Sequence, residues 1–207
     1  MKKIKNIAGL VITVCLFWSC SQAQNAPDEA LEPAADKKIL IVYLSRTNNT
    51  KAIAEMIQKY VDGDLAAVEL QTPYPENYTQ TVDQVAKENA AGYLPPLKTK
   101  IADIEKYDVI FFGFPTWGMQ LPPPMKSFLS QYQLKGKTII PFNTNAGYGV
   151  GSGFRDVKKL SPDSNILEGF TIEGGKEKDG VLFVMEGNKQ KKAQEQVESW
   201  LRKISML

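Results

Sequence analysis

From Lys37 onward, apolar runs and polar interruptions alternate along the chain. The run Ile39-Leu40-Ile41-Val42-Tyr43-Leu44 has no polar residue to mark an exposed side. Val109-Ile110-Phe111-Phe112-Gly113 repeats the habit, and Lys137-Thr138-Ile139-Ile140-Pro141-Phe142 approaches it. Strands that are apolar on both faces belong to parallel sheets covered by helices on either side. Between them, apolar residues fall three and four apart, which is the period of a helix. Ile53, Met56, Ile57 and Tyr60 form the first such stripe, and Val82, Val85 and Ala86 form a second that ends near Ala91, ahead of Pro95-Pro96. Met125, Phe128, Leu129 and Tyr132 form a third behind Pro122-Pro123-Pro124, a proline run that suits a first helical turn. Val157 and Leu160 mark a fourth helix, and Val197, Trp200, Leu201 and Ile204 mark the buried face of a last one over about 188–204. Leu65–Leu70 and Ile166–Ile172 complete five strands. Val181–Met185 reads as an extra strand or extension, and Gly174-Gly175 to Gly180 as an exposed turn. Strands alternating with helices at this spacing predict an α/β fold, a doubly wound five-stranded parallel sheet with helices on both faces.

The start of the chain has a different pattern. Lys2, Lys3 and Lys5 precede an apolar stretch, Ile7–Trp18, that is shorter than the ~20 residues a membrane span needs. Phe17-Trp18-Ser19-Cys20 follows and is similar to a lipobox, the site at which bacterial lipoproteins are cleaved and acylated on cysteine. The other reading is a plain secretory signal cut after Ala23. Ser21–Asp36 is rich in Ala, Pro, Asp, Glu and Gln without apolar periodicity, the composition of a flexible tether. The expected division is thus a lipoprotein signal peptide over 1–20, a tether over 21–36 and one domain over 37–207. Cys20 would carry the lipid and hold the protein to a membrane of the bacterial envelope, facing the periplasm.

Composition narrows the chemistry. A net charge of +2 gives no reason to expect a nucleic-acid partner. The chain has no histidine, which removes Ser-His-Asp and Cys-His catalysis and the commonest zinc sites, so no metal site is expected. The two cysteines, Cys15 and Cys20, both fall in the signal region, so the mature domain has no thiol chemistry. Gly151-Ser152-Gly153 is then a helix cap, not a nucleophile.

In an open parallel sheet, ligands bind beyond the carboxyl ends of the strands. Three loops leave such ends: Ser45–Thr50, Phe114–Leu121 and Asn143–Gly153. The first puts hydroxyls and free N–H groups at a helix N-terminus, where the dipole favours a phosphate. It lacks the glycines of a dinucleotide fingerprint and the Gly-Lys of a P-loop, which leaves a single phosphate held by Ser45, Thr47, Asn49 and Thr50. The plainer reading is an ordinary capped helix. The second loop offers Trp117 beside Gly118, and the third is glycine-rich with Tyr148. A phosphate cradle with two flat walls describes a site for a planar phosphorylated mononucleotide, and flavin mononucleotide (FMN) is the candidate. The loops contain no Asp or Glu between Ser45 and Lys51, Phe114 and Pro124, or Asn143 and Phe154. A ring held among them would therefore have few carboxylates nearby.

The chain resembles the flavodoxin family over nearly all of Lys37–Leu207. It is similar to a bacterial subgroup with Ser-Arg-Thr-Gly-Asn-Thr in the first loop, Pro-x-Trp-Trp-Gly and a proline triplet in the second, and Thr-His-Gly-Gly in the third. The counterparts here are Ser45-Arg46-Thr47-Asn48-Asn49-Thr50, Pro115-Thr116-Trp117-Gly118, Pro122-Pro123-Pro124 and Thr144-Asn145-Ala146-Gly147, and Tyr74-Pro75-Glu76-Asn77-Tyr78 is also similar. Asn48 replaces a glycine, Gly118 the second tryptophan and Asn145 a histidine. Asparagine is, after glycine, the residue that best accepts a positive φ. The resemblance implies a flavodoxin-like sheet of order 2-1-3-4-5 and FMN as cofactor. Ser45, Arg46, Thr47, Asn48, Asn49 and Thr50 would lie at the phosphate. Pro115, Thr116, Trp117, Gly118 and Met119 would lie at one ring face, and Asn143, Thr144, Asn145, Ala146, Gly147, Tyr148 and Gly149 at the other edge. It implies electron transfer to a redox partner protein or a quinone, with no catalytic side chain. Two alternatives stand beside it: an FMN-dependent NAD(P)H:quinone or nitro reductase, and a flavodoxin-fold binding module that has lost flavin.

Overall fold

The computed structural model describes residues 37–207; the signal and tether, Cys20 among them, lie outside the described residues. Strand β1 (Ile39–Tyr43) leads into helix α1 (Asn49–Val61) and strand β2 (Asp64–Ala67). Helix α2 (Tyr78–Ala91), strand β3 (Val109–Pro115), helix α3 (Pro123–Gln131), strand β4 (Thr138–Asn145) and helix α4 (Gly153–Leu160) follow. Two short strands, β5 (Asn165–Ile166) and β6 (Phe170–Glu173), and the last helix, α5 (Gly187–Lys203), complete the domain. All strand pairs are parallel, and the order is β2-β1-β3-β4-β5, as expected.

Alternate side chains of each central strand point to opposite faces. Ile39, Ile41, Tyr43, Phe111, Ile140 and Phe142 join Ile53 and Ile57 of α1 and Val197, Trp200 and Leu201 of α5 in one buried layer. Leu40, Val42, Ile110, Phe112, Phe114 and Ile139 face the other way, onto Met125 and Phe128 of α3 and Val157 of α4. A strand buried on both sides has no reason to alternate in sequence, which is why β1 and β3 are continuous apolar runs.

The strand expected over Ile166–Ile172 is two strands in tandem on one edge of β4. β5 pairs with Thr138–Ile139 and β6 with Phe142–Asn145. At the break, the Glu168 carbonyl accepts the indole N–H of Trp200 at 3.0 Å, so α5's largest side chain has its buried donor satisfied. Val181–Met185 is not a strand: Val181 makes one isolated bridge to Lys176, and the backbone beyond it is held by a side chain. Asn49 donates from Nδ2 to the Leu182 carbonyl at 2.6 Å and accepts from Val184 N–H at 3.1 Å. The third helix ends before Tyr132, whose ring packs on Phe128 with centroids 4.7 Å apart. Leu160 ends the fourth helix with its side chain exposed, not in the core. The 174–180 segment is only in part an exposed turn, because Gly174 is buried against Asn49 and Thr144.

Candidate functional site

The carboxyl ends of β1, β3, β4 and β6 open onto one cleft of about 320 Å³. On its first wall the chain turns from β1 into α1 through Asn48, at φ +63°, the left-handed conformation expected of a residue in a glycine's place. Ser45 Oγ accepts the N–H of Lys51 at 3.3 Å and caps the helix. The N–H groups of Thr47, Asn48, Asn49 and Thr50 donate to nothing among the described residues. Four unpaired donors at a helix N-terminus have the geometry and dipole to receive an anion. Thr47 Oγ1 accepts from Asn49 Nδ2 at 2.8 Å, which leaves its own proton free. Thr50 and Thr144, both buried, share a hydroxyl–hydroxyl bond of 2.8 Å, so one of the two protons remains free. The Asn49 side chain is committed to Thr47 and to the 182–184 backbone, so only its backbone N–H is left to contribute.

Arg46 does not point into the cradle. Its Nε donates to Glu177 at 2.8 Å, and Nη1 and Nη2 donate to the carbonyls of Pro75 and Glu76 at 2.9 and 2.5 Å. One guanidinium thus ties the first loop, the segment ahead of α2 and the loop after β6 into a single rim.

The second wall is a tight turn. Gly118 and Met119 both have positive φ, +56° and +59°, and Gln120 N–H returns to the Trp117 carbonyl at 3.2 Å. That pattern is the mirror-image turn of a β-hairpin. The turn is docked onto the start of α4: Ser152 N–H donates to the Met119 carbonyl at 2.9 Å, and Asp156 accepts Leu121 N–H at 3.2 Å and Ser152 Oγ at 2.7 Å. Ser152 therefore stands at the helix cap position, as expected, but its hydroxyl serves Asp156 and not a backbone N–H. Trp117 and Tyr74 meet with their rings nearly perpendicular and their centroids 5.3 Å apart. Tyr74 in turn donates to the buried carboxylate of Glu88, which also accepts from Gln84. Burial first, and then the hydrogen bond to Glu88, hold the Tyr74 hydroxyl in its neutral form well above the usual tyrosine range.

The third wall is organised by two asparagines. Asn143, fully buried, donates to the Phe114 carbonyl at 2.9 Å and accepts from Thr171 at 3.1 Å, which locks β4 between its neighbours. Asn145 accepts the N–H groups of Gly147 and Gly149 at 2.9 and 3.1 Å and donates to Thr171 at 3.1 Å. An imidazole has one acceptor nitrogen and no such amide fork, so the residue in the family's histidine position shapes its own loop here. Tyr148 is 68% exposed and lies under Lys176, whose Nζ is 5.5 Å from the ring centroid.

Of the residues read from sequence, Arg46, Thr47, Asn49, Thr50, Pro115–Met119, Thr144–Ala146 and Tyr148 line the cleft. Ser45, Asn48, Asn143, Gly147 and Gly149 do not; they shape the loops behind it. Sequence reading missed two walls. One is α2, through Tyr78, Thr81, Val82, Val85, Ala86 and Asn89; the other is Gly174–Lys178 after β6. Carboxylates near the cleft are few, and they come from outside the three loops. The three loops contain none, but Glu177 reaches the rim from the 174–180 segment, and Glu173 comes within 3.4 Å of where a Cβ on Gly147 would stand.

Residues 38–188 match the family model described as flavodoxin, which is most of the chain. No curated protein sequence matches it. Among solved structures, a protein of Bacteroides eggerthii provisionally assigned as a flavoprotein is 29% identical, with a TM-score of 0.66 over 82% of this chain and 99% of that one. A flavoprotein of Lactobacillus acidophilus, solved in complex with FMN, is 25% identical, with a TM-score of 0.59 over 65% of this chain and 92% of that one. A Bacteroides uniformis protein at 23% identity and a TM-score of 0.65, covering 80% of this chain and 98% of that one, shares the fold. The sheet order and the cleft at its carboxyl edge define a flavodoxin-like α/β protein. The chain belongs to the flavodoxin family.

Proposed function

We propose that this protein binds FMN, carries electrons, and is held at the bacterial envelope by a lipid on Cys20. The observation that carries the reading is the row of unpaired N–H groups from Thr47 to Thr50, opening onto a cleft with aromatic walls. Of the cleft's charged lining residues, Arg46 and Glu177 pair with each other and Lys176 pairs with Asp179, which leaves Lys178 as the lining cation without an ion-pair partner among the described residues. The residues present fit FMN. The backbone of Thr47–Thr50 with the Thr47 and Thr50/Thr144 hydroxyls would hold the phosphate, and Trp117 and Tyr148 would flank the ring. When bound, FMN supplies reversible one- and two-electron chemistry, while the protein supplies position and field. Trp117, braced by Tyr74, would exclude water from one face, and the Arg46–Glu177 pair would keep the rim closed. That pair is only about one-fifth exposed on each side, so it is less screened than a surface ion pair.

A carrier and a reductase differ in what they do with a nicotinamide. Protein loaded with FMN and reduced chemically should pass electrons to cytochrome c, yet fail to oxidise NADPH in the steady state. Sustained NADPH oxidation with a quinone present would make it a reductase.

The anchor makes a separate prediction. Cys20→Ser should move the protein from the membrane fraction to the soluble fraction with its flavin content unchanged. The reason is that every lining residue of the cleft lies at or beyond Arg46, within the folded domain. Retention in the membrane fraction would mean that something other than a lipid holds it.

A further inference from the structure

Val181, Leu182 and Phe183 follow one another in the chain with 45%, 52% and 42% of their surfaces exposed. The next two residues, Val184 and Met185, turn inward against the core layer that α1 and α5 form on one face of the sheet. The exposure of 181–183 is not slack in a loop, because the backbone there is fixed from two sides. Val181 N–H donates to the Lys176 carbonyl at 3.2 Å, and Asn49 clamps the Leu182 carbonyl and the Val184 N–H. Gly175 packs so closely on the same backbone that a Cβ there would stand 2.0 Å from the Leu182 carbonyl oxygen. Three large apolar side chains are thus held out beside the rim of the cleft, and none of them lines it. A fixed apolar ridge with polar surroundings marks an interaction surface.

The charges that flank the ridge in sequence lean towards the basic. Lys178 ahead of it, and Lys189, Lys191 and Lys192 in the first two turns of α5 behind it, have no carboxylate within salt-bridge distance among the described residues. Of the acids in this stretch, Glu177 and Asp179 are engaged by Arg46 and Lys176, and only Glu173 and Glu186 stand unpaired among the described residues. Lysines at the start of α5 also oppose the helix dipole, a placement that an anionic surface would offset. The tether joins the fold at Lys37, ahead of β1, which is the amino edge of the sheet and the opposite end from the ridge. Residues 21–36 can extend over about 55 Å, whereas a domain of this size has a radius of gyration of about 16 Å. A lipid on Cys20 therefore leaves either end of the domain able to face a bilayer, and the surface decides which end does.

We propose that the ridge Val181–Phe183, with Lys178, Lys189, Lys191 and Lys192, docks on an anionic phospholipid bilayer, so that the domain rests with its cleft edge towards the membrane. The apolar tips would enter the boundary between headgroups and acyl chains, and the lysines would meet lipid phosphates. Docking rests on the anchor at Cys20 for proximity to a membrane, but not for recognition of it. The tether adds no attraction of its own, since it carries Asp28, Glu29, Glu32 and Asp36 and no cation. A surface of this size binds reversibly and is washed off during fractionation, so Cys20→Ser still releases the protein.

The test uses the chain from Ser21 to Leu207, because an apolar signal or a lipid would hold every variant on a vesicle. The strands, the helices and both core layers lie within 37–207, so this chain keeps the whole fold. Co-sedimentation is measured with vesicles of phosphatidylcholine and phosphatidylglycerol in equal parts, and with phosphatidylcholine alone. The parent should bind the anionic vesicles and should bind the neutral ones about tenfold more weakly. Val181→Ser, Leu182→Ser and Phe183→Ser together should weaken binding about tenfold or more. Lys189→Gln, Lys191→Gln and Lys192→Gln together should weaken it about tenfold, and raised salt should do the same to the parent. The comparable corner at the amino edge, Lys158, Lys159 and the exposed Leu160, serves as the control. Lys158→Gln, Lys159→Gln and Leu160→Ser together should leave binding unchanged. The Ser21–Leu207 chain contains no cysteine, so Phe183→Cys can carry a single environment-sensitive dye, whose emission should shift to the blue on anionic vesicles. Melting curves will show that the variants fold, since none of the substituted residues belongs to the core. No binding to anionic vesicles, undiminished binding by the serine variant, or a loss confined to the 158–160 variant would overturn the proposal. Self-association of the parent that the serine variant abolishes would also overturn it, by giving the ridge to a second copy of the chain. Full-length protein found in the soluble fraction of cells would instead contradict the anchor, and the vesicle titration would still decide the docking surface by itself.

Discussion

Gly151→Ala is expected to destabilise the domain by about 2–4 kcal/mol and to weaken FMN binding, whereas Gly149→Ala is expected to cost only ~1 kcal/mol. Both glycines have positive φ, +60° and +80°, so both substitutions incur the left-handed penalty. They differ in what the new methyl would meet. At Gly149 nothing lies within 4 Å; at Gly151 the Cβ would stand 2.1 Å from the Met119 carbonyl oxygen and 2.5 Å from its carbon. That contact is with backbone, and no side chain can swing aside to relieve it. The Trp117–Gln120 turn would have to lift away from α4, breaking the bond from Ser152 N–H to Met119 and straining the one from Leu121 N–H to Asp156. Trp117 would move with it. Urea unfolding and flavin titration of the two variants isolate this docking, because the backbone penalty is common to both. Equal losses would mean that the contact of the turn with Gly151 does not hold the Trp117 wall in place.

Replacing Thr47, Thr50 and Thr144 together with valine should weaken FMN about a hundredfold and riboflavin no more than about threefold. Valine keeps the shape and removes the hydroxyls. A hydrogen bond to a charged group is worth about 1.5–3 kcal/mol, and two lost at the lower value amount to nearly 3 kcal/mol, or about a hundredfold. Thr47 has its proton free because its oxygen already accepts from Asn49. Thr50 acts together with Thr144, the two hydroxyls sharing one bond and leaving one proton for the ligand. Thr47→Val alone, which leaves the Thr50–Thr144 pair intact, should account for about half of the effect on a logarithmic scale. Riboflavin has the same ring without the phosphate, so parallel losses for both ligands would place the phosphate elsewhere.

The fold was legible because its central strands are buried on both faces. Ile39–Leu44 and Val109–Gly113 carry no ambiguity of side, and the helical stripes between them fix the alternation. The failures lie at the edges. The two tandem strands read as one because the break at Glu168 answers the Trp200 indole, which comes from a distant helix. Val181–Met185 has the composition of a strand, but its backbone partner is the Asn49 side chain, and local pattern carries no trace of that.

The site divides in the same way. Residues at or just beyond a strand end, such as Thr47, Trp117 and Thr144, were found because topology alone brings those strand ends together. The α2 wall was missed because Val82, Val85 and Ala86 have the spacing of core residues. Whether such a stripe meets the sheet or a cleft depends on where the helix is placed. Arg46 shows the converse: its place in the phosphate loop left open whether it met the anion or pointed outward, and its actual partners, Glu177 and the carbonyls of Pro75 and Glu76, come from segments far away in sequence.

The most direct test of the account is fluorescence and visible titration of the purified, flavin-free protein with FMN. Binding between Trp117 and Tyr148 should quench FMN fluorescence to an end point at one FMN per chain. The bound visible band should be altered, and riboflavin should need a far higher concentration for the same quenching. FMN whose fluorescence and spectrum do not change on addition of the protein, or FMN and riboflavin binding equally, would contradict it.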